Sequence, residues 1–270
     1  MLRILSDLHY RDASSHLHDL EQLNPLLTGV AQLWLNGDTC DSQTGMPPDK
    51  LEEIRQFFRC RVPEVHFITG NHDPDISTTH HRSAADGRIF AAHGDVFLDE
   101  VVPWSRVRQK LVTRVQQARF DNPAWDLETL DGRAALFRRA CQGFGRECDP
   151  EKRDFHYRLR RLFVEFFPPR QPWAMIRTWT SFADRVAARQ PDWCPDAQVI
   201  ATGHIHFPRV WRRGALTIVN TGAFSGPLGA YCVDVEAEKV TVRRLQNRPD
   251  GWHAGSILST IPLAPPSVSA

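Results

Sequence analysis

Leu33-Trp34-Leu35-Asn36-Gly37-Asp38 is an apolar run that stops on a glycine and a carboxylate. Short runs of this kind suit a strand buried on both faces, inside an α/β layer. In such sheets ligands collect beyond the carboxyl ends of the strands, where the loops converge. Gly37 lets the backbone turn sharply and approach a ligand closely, and Asp38 then projects into the crevice. Taken alone, the pattern fits a turn-forming Asp equally well.

The same pattern recurs around it. Arg3-Ile4-Leu5-Ser6-Asp7-Leu8-His9 is a short strand ending in Asp-x-His. Val65-His66-Phe67-Ile68-Thr69-Gly70-Asn71-His72-Asp73 ends in Gly-Asn-His-Asp, and Arg88-Ile89-Phe90-Ala91-Ala92-His93-Gly94-Asp95 in His-Gly-Asp. Val199-Ile200-Ala201-Thr202-Gly203-His204-Ile205-His206 ends in Gly-His-x-His. Five predicted strands deliver Asp, Asn and His to one edge, the side-chain chemistry of a metal site.

Between and beyond these strands the chain divides. Residues 1–95 show the βαβ rhythm of a parallel or mixed sheet, with Leu17, Leu20, Leu23, Leu26 and Leu27, then Leu51, Ile54, Phe57 and Phe58, at near-helical spacing. From 96 the character changes. Trp104, Val107, Leu111, Val112 and Val115, and further on Phe155, Leu159, Leu162, Phe163 and Phe166, follow amphipathic helical spacing. Residues 96–196 are therefore expected to be a mostly helical insertion carried by a core of residues 1–95 and 197–248. Strands are predicted at 216–220, 230–234 and 239–243; with no helices between them, they are expected to pair antiparallel. The prolines and small residues of 249–270 suggest a loose tail.

At 270 residues the chain is long enough for this arrangement, and a net charge of +1 gives no global reason to expect a nucleic-acid partner. Cys40, Cys60, Cys141, Cys148, Cys194 and Cys232 contain no Cys-x-x-Cys pair and read as reduced thiols. The chain enters a strand at once, with Arg3 in it, so no signal peptide is expected and the expected location is cytoplasmic. No apolar run approaches the roughly 20 residues of a spanning helix, which leaves peripheral membrane contact as the open membrane option.

Asp7-x-His9, Gly37-Asp38, Gly70-Asn71-His72-Asp73, His93 and Gly203-His204-x-His206 together resemble the calcineurin-like metallophosphoesterase superfamily, with all five blocks in the family's order. The resemblance implies a layered α/β/β/α sandwich of mixed sheets and a site for two divalent transition metals, manganese first, with iron, zinc or cobalt as options. Asp7, His9, Asp38 and His206 would hold one ion. Asp38, Asn71, His93 and His204 would hold the other, with Asp38 as the bridge. The two-residue spacing of His9 and His206 from a neighbouring ligand is read as an extended segment that puts both side chains on one side. His72 would bind the phosphoryl group or protonate the leaving oxygen, and Asp73 would orient it. Asp95 is either a loop cap or a support for a ligand. His80 and His81 read as solvated loop residues, and His16, His18, His66, His156 and His253 as non-ligands.

The His-Gly-Asp block, the insertion behind it and the Gly-His-x-His ending resemble the UDP-2,3-diacylglucosamine hydrolases, although those enzymes typically carry Arg where this chain has His72. Residues 96–180 contain 16 Lys and Arg against 11 Asp and Glu, together with 13 of the 26 Phe, Trp and Tyr. Such a bias over a phosphate site suits a phosphorylated small molecule or lipid-linked nucleotide. The alternatives are a generic phosphodiesterase, a phosphoprotein phosphatase, or a metal-binding scaffold without activity.

Overall fold

Alternate side chains of the strand Gln32–Asn36 (β2) enter two different cores. Leu33 and Leu35 join a cluster with Leu17, Leu23 and Phe58, whereas Trp34 packs with Ile4, Ile68 and Val219. This two-residue period makes both faces of the strand apolar, so β2 reads as a continuous hydrophobic run. The computed structural model describes residues 1–43, 45–147 and 170–265.

Two mixed sheets stack face to face. In the first, β1 (Leu2–Leu5), β2 and β3 (Glu64–Ile68) run parallel. β9 (Tyr231–Glu236), β10 (Lys239–Arg248) and β11 (Gly251–Pro262) extend it antiparallel from β1, in the order β11-β10-β9-β1-β2-β3. The second sheet has the order β4-β5-β6-β8-β7, with β4 (His81–Ala84), β5 (Ile89–Ala92), β6 (Val199–Thr202), β7 (Arg209–Arg213) and β8 (Leu216–Asn220). Ile4, Trp34 and Val233 from one sheet and Ile89, Ala91, Val199 and Val219 from the other fill the space between them.

Helices cover both outer faces, completing the α/β/β/α layering. The short α1 (Asn24–Leu27) and α2 (Pro48–Arg59) lie on the first sheet. Leu51, Ile54 and Phe58 of α2 are buried at the i, i+3, i+7 spacing that places them on one face. Between β5 and β6 come α3 (Arg108–Asp121), α4 (Leu130–Cys141), α5 (Phe144–Glu147) and α6 (Arg170–Trp193). Leu130 and Ala134 of α4 and Phe182, Ala183 and Val186 of α6 pack on the second sheet. Leu111, Phe137, Cys141 and Phe144 form a separate small core among the helices themselves. The helix expected around Phe155–Phe166 lies outside the described residues.

Three sequence expectations change. Residues 249–270 are not simply a loose tail: Gly251–Pro262 is a twelve-residue edge strand, legible only once β10 supplies a ladder for it. The strand at 216–220 does not pair with that at 230–234, because β8 lies in the second sheet, parallel to β6 and antiparallel to β7. His81 opens β4 and stacks on Phe90, and His80 contacts the Thr69 hydroxyl through Nδ1 at 2.7 Å, so neither is a solvated loop residue.

The helical segment between β5 and β6 is fixed to the loops after β3 and β5 by a buried ion pair. Arg138 of α4 holds both carboxylate oxygens of Asp95 and donates from Nε to Thr69 Oγ1 at 2.8 Å. All three residues are buried. Burial disfavours the Asp95 carboxylate, but Arg138 outweighs it and holds the group down at about 2. Removing one member strands the other charge away from water. Arg138→Ala is therefore expected to cost about 3–5 kcal/mol in denaturant unfolding, and the Asp95→Asn, Arg138→Met double variant to recover much of that loss.

Candidate metal centre

The carboxyl ends of β1, β2, β3, β5 and β6 bring Asp7, His9, Asp38, Asn71, His93, His204 and His206 to one place. The loops are tied to one another through the backbone. Asp7 N–H donates to Gly37 O at 3.0 Å, His9 N–H to Asp38 O at 2.9 Å, and Gly203 N–H to His93 O at 2.8 Å. Across the sheets, His204 N–H donates to Asp7 Oδ1 at 2.9 Å.

The approach is tight enough to dictate glycine at three positions. A Cβ on Gly37 would overlap the His93 ring, one on Gly70 the Asp38 carboxylate, and one on Gly203 the Asp7 carboxylate. The polar residues bend to fit as well. Asp7, His9, Asp38, His204 and His206 have φ of 52°, 49°, 52°, 72° and 51°. The spacing of His9 from Asp7 and of His206 from His204 thus works through left-handed turns, not through the extended segment expected from the sequence. Such conformations cost of order 1–3 kcal/mol each in non-glycine residues and collect where a site requires them.

The ligand atoms fall into three overlapping groups, the first joined to the second through His9 and the second to the third through Asp38. Those of Asp7, His9 and His206 lie within 4.8 Å of one another, as do those of Asp38, His93 and His204. Asp38 Oδ2 is 3.2 Å from His93 Nε2 and 3.9 Å from His9 Nε2, a bridging position. Asn71 Oδ1 is 3.2 Å from His93 Nε2. The second of these groups is His72 with His9 and Asp38. None of His16, His18, His66 or His253 joins such a group, and His156 lies outside the described residues.

Protonation states favour cation binding at His9 and His204 and oppose it at His93, whose proton a cation would displace. Burial first, and then His72, push His9 down to about 3; burial and His93 push His204 down to about 4, so both present lone pairs. At His93 burial opposes the charged form, but Asp38 outweighs it and raises the group to about 10. His204 Nε2 is buried without a hydrogen-bond partner, and His9 Nε2 faces His206 Nε2 at 2.9 Å. Buried lone pairs left this way are costly, and a cation between them removes the cost. The residues present therefore fit a metal pair. His93 Nδ1 lies 3.1 Å from Asn36 O, which fixes the tautomer that leaves Nε2 facing inward.

Other residues act in places the sequence did not indicate. Asn36 donates from Nδ2 to Ala92 O at 3.1 Å and Ala201 O at 3.2 Å, joining β2 to the second sheet. Asp73 does not orient His72. It is fully buried and accepts from the backbone N–H groups of Asp38, Thr39 and Gly70 at 2.9, 2.7 and 2.7 Å, which sets the turn carrying Asp38. The carboxylate facing His72 is Asp41, with Oδ1 3.9 Å from Nδ1, beyond hydrogen-bond range, and neither atom has a hydrogen-bond partner. Gly-Asp-x-x-Asp spacing was the available signal. Asp95 caps its own turn, accepting from Val96 N–H at 2.9 Å, and it also anchors Arg138, a role outside both readings considered for it. From α6, Trp179 donates from Nε1 to Ile205 O at 2.9 Å and stacks on Phe207, bracing the His204–His206 loop.

Residues 2–208 match the sequence model of the family described as calcineurin-like phosphoesterase. No curated protein matches the chain. Among solved structures, wild-type Vps29 of Entamoeba histolytica complexed with zinc is similar at 14% identity and TM-score 0.45, over 97% of this chain and 98% of that one. Vps29 of Chaetomium thermophilum is similar at 12% identity and TM-score 0.47, over 99% and 96%. A dimetal phosphatase from Danio rerio is similar at 12% identity and TM-score 0.46, over 97% and 98%. Likeness of this degree says nothing about substrate. Asp73→Asn, which places an amide against three N–H donors, is expected to cost about 1.5–3 kcal/mol of stability and to weaken metal binding about 10–100-fold, measured by calorimetric titration.

Proposed function

The chain belongs to the calcineurin-like phosphoesterase family, and from that premise we propose that it hydrolyses a phosphate ester or pyrophosphate at a two-cation centre. Asp7, His9, Asp38 and His206 would hold one cation, and Asp38, Asn71, His93 and His204 the other. The observation that carries this reading is the position of Asp38 Oδ2 between His9 of one ligand-atom group and His93 of the other, 3.9 and 3.2 Å from their Nε2 atoms. Mixed oxygen and imidazole donors accept manganese, iron, zinc or cobalt, and manganese is taken first from the family resemblance. Such a pair supplies neutralisation of the phosphoryl oxygens and a water of lowered pKa.

The chain's own residues do the rest. His72 stands edge-on to His9 at 4.9 Å, with its side chain 33% exposed. It is thus open to a substrate where His93 is closed off. With Nδ1 turned toward Asp41, Nε2 is the atom that hands a proton to the departing oxygen or binds a phosphoryl oxygen. Asp41 is the carboxylate that faces this ring, 3.9 Å away. Val102, Trp104, Met175 and Trp179 stand over the centre, and water-poor walls of this kind position the remainder of a substrate. A nucleotide- or lipid-linked phosphate fits these walls better than a phosphoprotein. No helix among the described residues is long and apolar enough to cross a membrane.

The test uses two variants on an aryl phosphate ester with Mn²⁺. Asp38→Asn is expected to lose bound metal and activity together, because two cations then face each other with less compensating charge. His72→Ala is expected to lose about 10²–10⁴ in kcat while elemental analysis finds metal retained. Full activity and full metal occupancy in Asp38→Asn would sink the proposal. Asp41→Asn should fall in the same direction as His72→Ala, by less.

A further inference from the structure

The cleft at the centre has two unlike walls. One is polar: Asp38, Asn71, His72, His204 and His206. The other is apolar and comes from the insertion, with Val102 and Trp104 from the segment before α3 and Met175 and Trp179 from α6; Ile205 completes the lining of a space of about 130 Å³. Among the described residues, no lysine or arginine lines this cleft. The guanidinium groups of Arg108, Arg177 and Arg185 line a neighbouring hollow of about 410 Å³ that shares Trp104 with the cleft. Two of them are committed there, Arg108 to Glu100 and Arg185 to Asp99.

That composition selects between kinds of phosphate. A phosphomonoester is largely a dianion at neutral pH, since its second pKa is about 6, and its spare oxygens are ordinarily met by bidentate arginine. A phosphodiester carries a single charge and replaces one of those oxygens with a carbon-bearing arm. Resting on the hydrolase reading above, we infer that the substrate is a phosphodiester whose second substituent is apolar or aromatic and packs against Val102, Trp104, Met175 and Trp179. The wall is already in place for it. Trp179 is fixed by its bond to Ile205 O and its stack on Phe207, with ring centroids 4.6 Å apart, and Trp104 lies against the His204 ring at 5.2 Å. Hydrolysis puts the hydroxyl of water on phosphorus and breaks one P–O bond. The departing oxygen takes up a proton by way of His72 and leaves as an alcohol, and the product is a phosphomonoester that keeps the other arm. That product gains a charge for which the described residues of the cleft offer no guanidinium partner, which favours its release.

The test separates recognition from turnover. Calorimetric titration of the Mn²⁺-loaded protein compares diphenyl phosphate with phenyl phosphate, and kcat/KM is compared for bis-p-nitrophenyl phosphate and p-nitrophenyl phosphate. Diphenyl phosphate is expected to bind about tenfold or more tightly, as an added buried ring warrants. Trp104→Ala, and separately the partly exposed Met175→Ala, should shrink that advantage to a few fold, while Trp104→Phe keeps most of it. Equal or tighter binding of phenyl phosphate would overturn the inference, as would a diester advantage indifferent to every wall variant. If wild type hydrolyses neither ester, the hydrolase reading fails, and the binding preference still decides the inference.

Discussion

How closely the carboxyl ends of the two sheets approach one another governs the rest of the structure. Across the two sheets Gly37 lies under His93 and Gly203 under Asp7, and within the first sheet Gly70 lies under Asp38, with no space for a Cβ at any of them. The contact is sealed by polar groups that cross from one sheet to the other. His204 N–H donates to Asp7, and the Asn36 amide reaches the carbonyls of Ala92 and Ala201. Apolar packing of Ile4, Trp34, Ile89 and Val199 brings the sheets face to face, but it is these crossings that set their ends in register.

That approach stores cost as well as order. Five of the residues converging there have positive φ, and His204 Nε2 is buried without a partner. Neither feature helps an apo fold, since each works against stability. A pair of cations gives both a physical reason: the turns aim lone pairs inward, and the orphaned nitrogen acquires an electrophile. The surrounding protein holds the turns rigidly to tolerate the cost. Asp73 grips three backbone N–H groups around Asp38, and Asp95 with Arg138 and Thr69 ties α4 to the loops that follow β3 and β5.

The sequence disclosed the parts of this arrangement that are written in side-chain chemistry at strand ends. Asp7, Asp38, Asn71, His93, His204 and His206 could be picked out because each follows a short apolar run, and the layered architecture followed from the same runs. What was hidden acts through tertiary contact. Arg138 sits in an ordinary amphipathic helix, and nothing local says that it reaches Asp95. Trp179 looks like any helix aromatic until its indole meets Ile205 O. Asp73 beside His72 invited a pairing that the backbone geometry assigns to Asp41. β11, rich in serine and glycine, becomes a strand because β10 offers a ladder, and β4 because β5 does. Two-residue spacing was read as extended backbone, where left-handed turns produce the same convergence.

The helical segment between β5 and β6 therefore does more than stand above the centre. Through Trp179 and Arg138 it braces the loops that carry the expected ligands, and through Val102, Trp104 and Met175 it shapes what reaches them. The central claim is that this convergence holds two cations sharing Asp38. A crystal grown with Mn²⁺ and measured for anomalous scattering at the manganese edge tests it most directly. Two difference peaks per chain are expected about 3.5–4 Å apart, with Asp38 bound to both. A single peak, or two peaks that do not share Asp38, would contradict it.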